Sequence, residues 1–91
     1  MGNGPKPNDA PWVVYIVECC DGSYYTGITN DVARRVEEHN AGTASRYTRS
    51  RRPVVLRYHE VCADRSHALV REFAVKLMSR KEKQKLVSGA S

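Results

Sequence analysis

Between Val13 and Asn30 the chain reads VVYIVECCDGSYYTGITN, two runs of β-branched and aromatic residues on either side of Asp21-Gly22. That dipeptide between such runs specifies a β-hairpin, because a glycine free to take positive φ closes a tight antiparallel turn. Strand one is expected over Trp12 to Cys19 and strand two over Tyr24 to Thr29. The length of the turn decides which side chains share a face. A two-residue Asp21-Gly22 turn puts Tyr15 and Tyr25 on opposite faces of the sheet. A three-residue loop, Cys20-Asp21-Gly22 with Gly22 left-handed in a G1 bulge, pairs Cys19 with Ser23 and Val17 with Tyr25 and brings both tyrosines to one face. The odd-length loop is the expected one.

Asn30 or Asp31 caps a helix over Asp31 to Ala41, DVARRVEEHNA, which Gly42 stops. At ~100° per residue Val32 and Val36 mark its buried stripe, His39 falls between them and Arg35 lies at the edge. Arg34 points away and makes an exposed pair with Glu38, so the spacing selects Arg35 and His39 as the pair sharing the core-facing flank. Thr43 to Pro53, TASRYTRSRRP, is expected as a loop because Pro53 marks where the next strand begins. It holds Arg46, Arg49, Arg51 and Arg52 with Tyr47 among them and no carboxylate, a pattern that suits phosphate contact better than mere solvation.

Val54 to Cys62 reads as a third strand with Val54, Leu56 and Tyr58 on one face. Asp64 or Ser66 then caps a helix running to about Ser79, with an apolar stripe of Leu69, Val70, Phe73 and Leu77 and with Glu72 at the margin of that stripe. Glu72 lies four residues before Lys76, and as surface chemistry the two make an i,i+4 ion pair worth only ~0.3–0.5 kcal/mol. Ser79 and Glu82 have the spacing of a capping box for a short basic helix ending near Val87. The order ββαβαα gives an α+β domain, a small three-stranded antiparallel sheet flanked by helices over residues 11–87, with a disordered lead at 1–10 and a flexible tail at 88–91.

The formal net charge of +5 on 91 residues points to a polyanionic partner. No apolar run is long enough to span a bilayer and Met1 to Ala10 has no apolar core of a signal peptide, so a cytoplasmic protein with no membrane association is expected. Cys19, Cys20 and Cys62 have neither a C-x-x-C nor a paired-histidine spacing, and are expected as free thiols.

VYI at 14–16 and YTG at 25–27 resemble the paired motifs of the GIY-YIG nuclease superfamily, with Val14 in place of the first Gly and Thr26 in place of the second Ile. The resemblance extends from Trp12 to about Val87 and is greatest to the small stand-alone single-domain members, the YhbQ-like group. It implies a metal-dependent DNA endonuclease linked to repair or recombination. The family's hairpin tyrosines match Tyr15 and Tyr25, its first-helix arginine and histidine match Arg35 and His39, and its metal-binding glutamate matches Glu72. One divalent ion, Mg²⁺ or Mn²⁺, is implied at Glu72, with either tyrosine as general base, its phenol pKa lowered by Arg35 and the metal. Arg46, Tyr47, Arg49, Arg51, Arg52 and Lys76 would then contact DNA, branched or damaged, while Gly22 and Gly27 serve the turn. Members fused to repair or homing modules carry an asparagine late in the domain; after residue 40 this chain has none, which implies either that Ser79 or Lys76 takes its place or that the site is less complete. The same basic loop also fits a non-catalytic nucleic-acid-binding module of the same fold, and a protein partner is a further expected source of specificity.

Overall fold

A computed structural model describes residues 10–89. The expected disorder of the lead, apart from Ala10, and the end of the tail fall outside the described residues. The elements are β1 (Val13–Glu18), β2 (Tyr24–Thr29), α1 (Val32–Ala41), α2 (Arg46–Arg49), β3 (Val55–Val61), α3 (Arg65–Lys76) and α4 (Arg80–Ser88). The three strands form one antiparallel sheet in the order β2-β1-β3. This is the expected α+β arrangement with one addition. Within the Thr43–Pro53 segment, expected as a loop throughout, Ser45 caps the single turn α2 by accepting the Thr48 N–H. The capping signal was present in the sequence, but the arginine density obscured it.

The hairpin closes through the three-residue loop. Cys19 N–H donates to Ser23 O at 2.8 Å, Gly22 has φ 85°, and Val17 stands opposite Tyr25. The Asp21 carboxylate accepts from the Ser23 N–H at 3.0 Å, an Asx contact that fixes the loop.

β1 is the central strand, and residues Val13 to Val17 along it are all buried. Its side chains alternate between two cores. Val14 and Ile16 meet Ala68 and Val75 of α3, with Tyr24, Ile28, Tyr58, Leu86 and Val87 around them. Tyr15, Val17 and Cys19 meet Val54, with Tyr25, Val36 and Leu56 around them. Helices α3 and α4 therefore cover one face of the sheet, and α1 the other.

Two expectations about packing are corrected. Tyr58 does not share a face with Val54 and Leu56. A bulge shifts the register so that Ile16 faces Tyr58 while Val17 faces Leu56, leaving Arg57 as the extra residue. Beyond the bulge the pleat is inverted, and Tyr58 joins the α3 core. The second correction concerns α3. Leu69, Val70, Phe73 and Leu77, the stripe expected to be buried, face outward, with Phe73 66% and Val70 71% exposed. Ala68 and Val75 lie against the sheet instead, both fully buried. A short side chain at Ala68 lets the helix approach closely, and Arg71 ties the same side to β3 through Glu60 Oε2 at 2.9 Å. Glu60 also accepts from the Tyr58 hydroxyl. α3 is thus apolar on two opposite faces, and size alone pointed to the wrong one.

Candidate active site

The hairpin register delivers the first part of the site. Tyr15 faces Gly27 across the ladder, and its ring lies so close over that glycine that a Cβ there would come within 2.5 Å of the phenol oxygen. Glycine is required at 27 for this close approach. Tyr25, two residues earlier on β2, is on the same face and partly exposed, whereas Tyr15 is 1% exposed.

Helix α1 brings the second part. Asp31 caps it by accepting the Arg34 N–H at 3.1 Å, and Gly42, with φ 85°, ends it. His39 is the helix's one fully buried residue, while Val32 and Val36 remain partly exposed. Its Nε2 lies 2.8 Å from the Tyr15 hydroxyl and its Nδ1 lies 2.7 Å from Thr48 Oγ1. Its ring also meets the edge of Tyr25 at 5.2 Å between centroids. Arg35 donates through Nη1 to Glu38 Oε1 at 2.9 Å, and Glu38 also holds Arg34 at 3.3 Å, so one carboxylate bridges both arginines. The Arg35 Nε–H is buried and has no hydrogen-bond partner among the described residues. An unanswered guanidinium N–H beside a tyrosine is a place for an anionic oxygen.

The electrostatics follow from this packing. Burial pushes the Tyr15 phenol up to about 12, and the Arg35 guanidinium only partly opposes this. At Tyr15, desolvation outweighs the neighbouring guanidinium, so Arg35 alone does not lower this phenol. Burial, and after it Arg35, depresses the His39 pKa, so the imidazole is neutral.

Glu72 comes from α3, which packs on the opposite face of the sheet, yet its charge reaches the Tyr15 phenol and adds to the upward shift. Its side chain is mostly buried, and Glu72 Oε2 lies 3.3 Å from Lys76 Nζ. Among the described residues no cluster of three or more His, Cys, Asp or Glu could hold a metal ion. A single carboxylate suits a hard cation that keeps most of its shell in water and phosphate oxygens, which is the habit of Mg²⁺, and Glu72 fits that role.

The basic segment divides in two. Arg51 is committed to the fold: Nε pairs with Asp21 Oδ2 at 3.1 Å, Nη1 donates to Tyr47 O at 2.9 Å, and the guanidinium lies 3.9 Å from the Tyr47 ring centroid. Arg52 is likewise committed, with Nε donating to Arg49 O at 2.9 Å and Nη1 to Asn40 O at 3.3 Å. Arg46 and Arg49 are exposed, and no ion pair holds either among the described residues. Arg49, Arg52, Asn40, Ser50 and Pro53 line a groove of about 410 Å³ beside them. Tyr47 stacks on Tyr25 with centroids 6.0 Å apart, which joins the loop to the tyrosine face.

Sequence reasoning missed Thr48, Ser45 and the bridging role of Glu38. Thr48 is fully buried against His39 and is held by the Ser45 cap. The Ser45-x-x-Thr48 spacing was the one available signal.

A family model described as the GIY-YIG catalytic domain matches residues 11–85 of the chain. A UPF0213 protein of Desulfotalea psychrophila is 52% identical over 87 residues, covering 94% of this chain and 79% of the relative. Another, of Halobacterium salinarum, is 53% identical and covers 80% of this chain and 95% of the relative. Among solved structures, the solution structure of a UPF0213 protein from Bacillus halodurans matches with a TM-score of 0.55 and 44% identity, covering 85% and 82% of the two chains. That of a protein from E. faecalis matches with a TM-score of 0.60 and 36% identity, covering 92% and 90%.

Proposed function

The chain belongs to the GIY-YIG catalytic domain family, whose model spans residues 11–85, and from that premise we propose that it is a divalent-metal-dependent endonuclease that hydrolyses phosphodiester bonds in DNA. The observation that carries the proposal is the convergence of Tyr15, Tyr25 and His39 on one face beside the buried, unanswered N–H of Arg35. That N–H is the donor for a phosphate oxygen, where it would stabilise the negative charge that builds up as water attacks.

The two tyrosines take different roles. Tyr15, buried and pushed up to about 12, keeps its proton and serves as the post between His39 and Arg35. Tyr25 is the accessible phenol and the one that reaches the attacking water. His39, neutral and enclosed, orients Tyr15 and stacks its edge on Tyr25. Glu72 is the residue that would hold one Mg²⁺ or Mn²⁺, which when bound supplies Lewis-acid polarisation of the scissile phosphate. Lys76 would leave Glu72 for a phosphate once the carboxylate is occupied. The exposed Arg46 and Arg49 would carry the backbone on either side, and branched or damaged DNA met in repair or recombination is the substrate class. A cytoplasmic setting, where thiols stay reduced, suits the three free cysteines.

The Glu72–Lys76 pair favours one other reading, a non-catalytic DNA-binding module of the same fold, because a carboxylate already held by an ammonium is a weaker metal ligand. Cleavage assays separate the two. Linear, nicked, flapped and four-way DNA are incubated with the protein in Mg²⁺ or in EDTA, in parallel with Glu72→Gln. The nuclease reading expects Mg²⁺-dependent nicks that disappear in Glu72→Gln, with DNA binding in EDTA kept or tightened. Binding without any Mg²⁺-dependent nick, or nicking undiminished in the variant, would overturn it.

A further inference from the structure

We infer that Thr48 is a positioning residue of this site: its hydroxyl accepts the Nδ1–H of His39 and holds the imidazole in the tautomer whose bare Nε2 receives the Tyr15 hydroxyl. The Arg35 guanidinium is close enough to act on the charge of Tyr15, and His39 Nε2 lies 2.8 Å from the Tyr15 oxygen. A guanidinium offers donors and no acceptor, so the phenol hydrogen goes to Nε2. A neutral imidazole with bare Nε2 carries its proton on Nδ1, and the group facing Nδ1 is Thr48 Oγ1 at 2.7 Å. Thr48 therefore accepts, and sends its own hydrogen to Ser45 Oγ at 2.8 Å. Ser45 already accepts the Thr48 N–H at 3.1 Å as the cap of α2, and a hydroxyl oxygen has a second lone pair for the Thr48 hydroxyl. His39 and Thr48 are both fully buried, so no surface water competes with either bond.

The single turn of α2 thus acts on Arg35 through two intermediaries. With Thr48 accepting, the Tyr15 hydrogen stays on its bond to His39 and away from Arg35. Without it, Nδ1 loses its acceptor and the imidazole is free to carry its proton on Nε2. That N–H would then point at Tyr15, turning the phenol hydrogen toward a guanidinium that can only donate, and loosening the guanidinium proposed to meet the scissile phosphate. The consequence for catalysis rests on the nuclease reading above; the tautomer itself does not.

Nitrogen NMR of histidine-labelled protein at neutral pH reads the tautomer directly. Wild type is expected to show His39 protonated at Nδ1 and bare at Nε2. Thr48→Val, of matching shape, is expected to shift His39 toward the Nε2–H form, and Thr48→Ser to retain the wild-type pattern. In Mg²⁺-dependent cleavage Thr48→Val should lower kcat about 10–100-fold with KM unchanged, the scale seen when a metal-bound histidine loses its outer partner, and Thr48→Ser should restore it. A wild-type His39 protonated at Nε2, or a wild-type tautomer retained in Thr48→Val, would overturn the inference. Should Thr48→Val not fold, Ser45→Ala decides. It frees the Thr48 hydrogen to turn to Nδ1, so a mixture of tautomers supports the assignment and an unchanged single tautomer overturns it. Wild type that cuts no DNA would remove the nuclease reading and leave the tautomer result standing.

Discussion

His39 is fully buried and its pKa lies below the ordinary 6.5, so folding favours its neutral form. In the window beneath pH 6.5 the unfolded chain binds more protons at this residue than the folded one, so stability rises with pH there. Its contribution is complete above about pH 6.5 and is lost as the pH falls from there through the folded value. Tyr15 acts at the other end. Its pKa is raised from 10.0 to about 12, so its contribution is complete below pH 10 and is lost as the pH rises toward 12. Denaturant midpoints measured from pH 5 to pH 7 should therefore climb in wild type, and the climb should flatten in His39→Gln. The depressed carboxylates Glu38, Glu60, Asp21 and Asp64 titrate below their ordinary values of 4.5 and 3.8, outside that window. A climb of equal size in His39→Gln would show that the imidazole is not its source.

Helix α3 makes the sharpest test of which face of an element is packed. Phe73→Ser, on the exposed face, should change stability by no more than about 0.5 kcal/mol. Val75→Ala, fully buried against Val14 and Ile16, should lower it by about 2 kcal/mol, read from urea midpoints. The reverse order would return the outward stripe to the core. The sequence directed attention to that stripe because four large side chains outweigh Ala68 and Val75 in any periodicity count, whereas what selects a face is how closely the backbone can approach. The hairpin could be read because turn chemistry and a period of two act locally and agree. Tyr15, Tyr25, Arg35 and His39 could be brought together for the same reason, once the turn length was chosen and Gly42 bounded the helix. The bulge at Arg57 left no trace, since Leu56-Arg57-Tyr58-His59 alternates evenly around it and the shift arises from pairing with β1. Thr48 went unnoticed because its role depends on where a loop returns in space, which spacing does not encode.

On the molecule as a whole, the positive charge is not spread evenly between structure and surface. Arg51 fastens the α2 segment to the hairpin turn, helped by the bond from Cys20 N–H to Arg51 O at 3.0 Å, and Arg52 braces the same segment against Asn40. Arg46 and Arg49 are exposed and held by no ion pair among the described residues. Replacing both with Ala should weaken DNA binding across sequences and reduce the log–log salt slope by about two, with stability unchanged. Arg52→Ala should instead lower stability and leave the slope within about one unit. A slope unaffected by the first pair would move the contact surface to the lysines of α4. The central position of β1 has a kinetic consequence for the site. Tyr15 lies on a strand bonded to neighbours on both sides and covered by packed side chains above and below, so its backbone amide is expected to reach solvent only through global unfolding. In heavy water that amide should be protected by the full free energy of global unfolding, while amides in the 43–52 segment exchange far sooner. The post on which Arg35 and His39 rest would then stay closed for as long as the molecule stays folded, and any breathing that admits a substrate would come from the basic segment alone.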